Sequence, residues 1–139
     1  MRNFLIPIAL SLAAGAHAAP PQRVEIMYEV TRNGMPVAEV TERLEHDKRQ
    51  YRLEESWRGK GVLALRGDAK RLSRGAVASD GLRPVEFEDR RPGREPKRVE
   101  FDPAENVPAL QRQDRLSVIW NFAFAPPKAE TVVTVADDK

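Results

Sequence analysis

Val24, Ile26, Tyr28 and Val30 occupy alternate positions, with Glu25, Glu29 and Thr31 among the residues between and after them. A strand turns successive side chains to opposite faces, so this period of two predicts a β-strand with one buried face. Asn33-Gly34 comes next, and both residues tolerate the positive φ of a two-residue hairpin turn. The return strand runs from about Met35 to Leu44, with Ala38, Val40 and Leu44 in phase. The chain therefore begins as an antiparallel hairpin, and the residues after Leu44 must either extend that sheet or cover it.

A polar turn at Glu45-His46-Asp47-Lys48-Arg49 leads to Tyr51, Leu53 and Trp57, again in period two, a third strand that Gly59 and Gly61 bring to an end. Residues 61 to 66 read as a short helix, and residues 68 to 77 as another strand. Turn formers concentrate at Ser79-Asp80-Gly81-Leu82-Arg83-Pro84. Beyond them Val85 and Phe87, then Val99 and Phe101, flank Arg91-Pro92-Gly93-Arg94, which fits two strands joined by a Pro-Gly turn. Residues 102 to 108 hold two prolines, which donate no ladder hydrogen bond, and are expected to be a loop. Asp114 can cap a helix in which Leu116, Ile119, Trp120 and Ala123 recur at helical spacing, with Pro126-Pro127 ending it. Thr131 to Val135 is β-branched and strand-like. The expected fold is mainly β: a curved antiparallel sheet or incomplete β-barrel of about seven strands, with one amphipathic helix from Asp114 to Phe124 packed on it.

The N-terminus reads as an address. Arg2 precedes an apolar run from Phe4 to Ala14, and small residues at Ala16 and Ala18 place a cleavage site before Ala19. The run is shorter than the 20 or so residues of a spanning helix. Residues 1 to 18 are thus expected to be a signal peptide, residues 19 to 139 a single β-rich domain, and the compartment the periplasm. Removing 18 of 139 residues leaves 121, with His46 as the imidazole of the mature chain. The complete absence of cysteine excludes disulfides, thiol catalysis, Cys-ligated zinc and a lipoprotein anchor. Lys and Arg number 23 against 21 Asp and Glu, a balance that argues against a nucleic-acid binder.

Four runs occur in order: Leu72-Ser73-Arg74-Gly75; Asp80-Gly81-Leu82-Arg83-Pro84 with Phe87 and Arg90-Arg91; Val99-Glu100-Phe101-Asp102; and Gln113-Asp114-Arg115-Leu116-Ser117. Together, over about residues 24 to 125, they resemble the bacterial domain of unknown function family 3108. The resemblance implies an exported, β-rich envelope protein without an established activity. It also implies that further strands beyond the helix would complete the fold, which leaves the last strand of this chain as an exposed edge open to another chain.

Candidate chemistry is sparse. His46-Asp47 is an adjacent base and carboxylate, and a Ser-His-Asp hydrolase would need it to meet a distant serine such as Ser73 or Ser117; a solvated turn is the plainer reading. Glu54-Glu55 and Glu86-Glu88-Asp89 could supply paired carboxylates of the glycosidase kind, but Glu86 and Glu88 share a strand face expected to meet water. No catalytic, metal or cofactor residue is assigned. The ligand-contact candidates are the basic group Arg90, Arg91, Arg94, Lys97 and Arg98 at a hairpin tip, whose guanidiniums suit phosphate and carboxylate, and Trp57 and Trp120, which could line an apolar cavity or fill the core. These readings favour a non-enzymatic binding or assembly module for a lipid, a polysaccharide or an envelope protein, with no nucleic acid and no transmembrane segment in the mature chain. A small hydrolase acting on envelope polymers and a partner protein pairing through its terminal strand are the alternatives.

Overall fold

A computed structural model describes residues 20–127 and 130–136; the expected signal peptide, residues 1 to 18, lies outside the described residues. Six strands run in chain order: β1 (Arg23–Arg32), β2 (Met35–His46), β3 (Gln50–Gly59), β4 (Ala69–Ala78), β5 (Gly81–Arg90) and β6 (Lys97–Glu100). Each pairs antiparallel with the next, and the sheet does not close, so it meanders from an edge at β1 to an edge at β6. Asn33 and Gly34 take φ of 52° and 75°, as the hairpin turn requires. A 3-10 helix spans Gly61–Arg66, in agreement with the short helix expected there.

The single α-helix among the described residues, α1 (Ser117–Phe124), packs on one face of the sheet, the inner face. It starts three residues later than expected, but Asp114 does cap its first turn: Oδ1 accepts the amides of Leu116 and Ser117, each at 2.8 Å. The buried stripe differs from the apolar spacing. Leu116, Ser117, Trp120 and Asn121 are buried, whereas Ile119 is 72% exposed and Ala123 faces solvent. The helix is rolled toward its polar residues because Ser117 is tied to Asp114 and because Asn121 Oδ1 accepts the Leu82 amide at 2.7 Å.

Strand register arranges the inner face in rows that cross the sheet. One row runs Val24, Leu44, Leu53, Ser73, Phe87, Val99, each residue directly opposite the next. With Tyr51, Leu82, Leu116 and Trp120 it forms the core beneath α1. The expected seventh strand is absent from the sheet: Val135 makes one parallel bridge to Gln113, and residues 134 to 136 bond to the backbone at 110 and 113. The C-terminal segment pairs instead with the chain around a second 3-10 turn, Ala109–Gln111.

Candidate functional site

The next inner-face row is charged. Two residues along each strand from the core row, register places Ile26, Glu42, Glu55, Arg71, Asp89 and Lys97 in line across all six strands. Beyond it a shorter row reads Tyr28, Val40, Trp57, Ala69. A band of charge thus lies between two largely apolar rows, on the side of the sheet that carries the core.

Its members are tied together. Glu42 Oε1 accepts the Tyr28 hydroxyl at 2.7 Å, and its Oε2 accepts Trp120 Nε1 at 2.8 Å, so the band is joined to α1. Arg71 Nη1 donates to Glu55 Oε1 at 2.8 Å, and Arg91 Nη2 donates to Asp89 Oδ2 at 2.7 Å. Arg71 Nε lies 3.4 Å from the same Asp89 oxygen. The Glu55 and Asp89 side chains keep only 8% and 4% of their exposure. Glu42 and Glu55 stand directly opposite each other, an arrangement that like charges disfavour and that donors on both sides offset. Burial and the neighbouring Glu42 push the Tyr28 phenol well above its ordinary value. Burial acts to raise the Asp89 carboxyl, but Arg91 and Arg71 outweigh it and hold that group below the usual carboxylate range.

Trp57 and Trp120 both belong to this side of the sheet. Trp57 Nε1 is buried without a hydrogen-bond partner among the described residues, while Trp120 Nε1 is engaged by Glu42. The basic group is divided. Arg90 and Arg98 both pair with Glu88 on the outer face, and Arg91 turns back to Asp89 on the inner face. Lys97 ends the inner charged row, and Arg94 stands exposed in the β5–β6 turn. Glu88, expected to meet water, is only 5% exposed, because the two arginines cover it. Arg90 also lines an outer-face groove of about 290 Å³ with Arg43, Arg52, Glu54, Lys70 and Glu88.

The groups a hydrolase would need have other partners. His46 Nε2 lies 2.9 Å from the Pro20 carbonyl, and its ring meets Phe124 edge-on at 4.9 Å. The Asp47 carboxylate accepts the amides of Arg49 and Gln50 at 2.6 and 2.7 Å, a turn-forming role. Ser73 and Ser117 are fully buried and bonded to Asp114. Among the described residues, no three His, Asp or Glu side chains gather as metal ligands.

Sequence reasoning gives Tyr28, Glu42 and Arg71 no place in a site and does not find the band as a unit. The signal is present all the same: Glu42 falls between Val40 and Leu44, and Glu55 between Leu53 and Trp57, so each puts a carboxylate in an apolar phase.

Residues 27–127 match the family described as protein of unknown function (DUF3108). No curated protein and no solved structure matches the chain.

Proposed function

We propose that this chain, which belongs to the DUF3108 family, is an exported protein of the bacterial envelope that binds an amphiphilic ligand without chemical conversion. The observation that carries this reading is the charged row inside the inner face. Burying carboxylates and guanidiniums costs several kcal/mol per ion before pairing offsets it, and an apolar row would hold the sheet at least as well. Retaining the row makes sense where a polar head group meets it. Ile26 and Tyr28 stay 44% and 40% exposed on the same face, so an apolar body has a surface beside that head-group site. Arg71, Arg91 and Lys97 suit an anionic head; Tyr28, Trp57 and Trp120 suit the chain-to-head boundary, where aromatic rings with one polar atom are favoured. The compartment rests on the N-terminal pattern at Arg2, Phe4 to Ala14 and Ala18.

Native mass spectrometry of the protein purified from its host envelope is the test. Co-purification of a lipid or glycolipid that is lost in Arg71→Gln is expected. Ligand-free protein throughout, with Trp fluorescence unchanged by envelope lipid extract, would overturn the binding reading. Cell fractionation tests the compartment separately.

A further inference from the structure

Arg112 is 5% exposed, and none of the described carboxylates pairs with it. Its Nη1 donates to the Glu105 carbonyl at 3.3 Å, and its guanidinium lies 5.6 Å from the centroid of the Phe101 ring. Nε and Nη2 are buried and have no partner among the described residues. These two nitrogens form one edge of the guanidinium, with parallel N–H bonds, the fork that takes both oxygens of a carboxylate or phosphate. A buried polar group without a partner is costly, and a buried charge more so, which makes an unpartnered fork at this depth an unusual feature for a structural arginine.

We propose that Arg112 anchors a second binding site, separate from the inner charged row, that takes an oxyanion side-on through Nε and Nη2. The Phe101 ring braces one face of the guanidinium, and while the 102–108 loop is down the Glu105 carbonyl also fixes Nη1. The chain on either side of Arg112 is fixed as well. Ala109 donates its amide to Asp80 Oδ2 at 3.0 Å, and Gln113 Nε2 donates to the carbonyls of Leu82 and Ala109, each at 2.7 Å. The 102–108 loop reaches the guanidinium through the Glu105 carbonyl. Residues 102 to 106 are exposed and bonded mainly to one another, through Ala104 N to Asp102 Oδ1 at 2.8 Å and Glu105 N to Asp102 O at 3.2 Å. An anion reaches the fork when this loop lifts, which releases Nη1 from the Glu105 carbonyl and leaves the Phe101 ring as the brace.

The test is a thermal-shift titration of the full chain with sodium phosphate and, in a parallel arm, sodium acetate, at constant ionic strength. Binding to the folded state raises Tm in a saturable way. The wild type is expected to show a saturable rise with at least one of the two anions, and the responding arm identifies the ligand as phosphate or carboxylate. Arg112→Met, folded by circular dichroism, is expected to show none, and Arg112→Lys, which keeps the charge but not the fork, to bind about tenfold more weakly or worse. The same titration followed by NMR through the Arg112 Nε resonance keeps the question answerable if Arg112→Met does not fold. No saturable response in either arm, or an undiminished response in Arg112→Met, overturns the proposal. Loss of lipid binding in Arg71→Gln leaves this site untouched, so the two readings fail independently.

Discussion

Ser73 Oγ donates a hydrogen bond to Asp114 Oδ2 across 2.6 Å, joining the middle of β4 to the residue that starts α1. The Tyr51 hydroxyl lies 3.0 Å from the same serine oxygen, and the other Asp114 oxygen caps the helix. Sheet and helix are thus locked through a buried polar chain rather than by apolar contact alone. Burial pushes the Asp114 carboxyl above the usual carboxylate range, although its hydrogen bonds act to lower it.

Asp114 therefore favours its proton in the folded state. Its contribution to stability is full below the unfolded value of about 3.9 and falls as pH rises through the folded value. Asp114→Asn mimics the protonated form, with Nδ2 donating to Ser73. The stability advantage of wild type over this variant is expected to be greatest in acid and to shrink toward neutrality. Asp114→Ala loses both the cap and the serine's partner and is expected to cost about 2–4 kcal/mol. Urea denaturation from about pH 3 to 7 checks both.

Asp89 is expected to show the opposite sign. Its carboxyl is lowered in the fold, so its stabilisation is present above the unfolded value and is lost as pH falls through the folded one. The advantage of wild type over Asp89→Asn should therefore shrink in acid. Equal pH profiles for the two proteins would count against Arg71 and Arg91 as its partners.

Gly81 holds φ at +126°, and a Cβ there would fall on Asn121 Oδ1, the atom that accepts the Leu82 amide. Gly81→Ala combines backbone strain with loss of that bond and is expected to cost more than about 2 kcal/mol in chemical denaturation. Gly93, with φ of 70° and open space around it, gives the comparison: Gly93→Ala should cost only about 1 kcal/mol, from backbone strain alone.

Glu88 is 5% exposed and serves both Arg90 and Arg98, whose side chains are 62% and 58% exposed. Solvent screens each arginine, so Arg90→Ala and Arg98→Ala should each cost less than about 1 kcal/mol. Glu88→Gln removes the shared anion and should cost more than either. Thermal denaturation of the three variants decides the order.

Most of the strands are legible in the sequence because one signal, alternation with turns between, recurs along the chain. Val24, Ile26 and Tyr28 share a face as their spacing says, and Asn33-Gly34 makes the turn. The helix is legible in its cap but not in its roll: Ile119 fits the apolar spacing yet is exposed, because the hydrogen bonds of Ser117 and Asn121 outweigh one aliphatic contact. The candidate site is less legible. Arg90 to Arg98 read as one basic cluster along the chain, but a strand sends neighbouring side chains to opposite faces, and Arg90 and Arg91 go to different carboxylates.

By itself the sequence determined that the described residues form an antiparallel sheet with one α-helix, since periodicity and turn chemistry are local properties. Only the tertiary structure decided which residues meet. Glu42, Glu55, Arg71 and Asp89 become one row because strand register, fixed by which faces are buried, sets them opposite one another across positions 42 to 89. The Arg112 fork is left without a partner among the described residues for the same kind of reason: whether a charge finds a partner depends on what folding brings beside it, and no spacing along the chain encodes that.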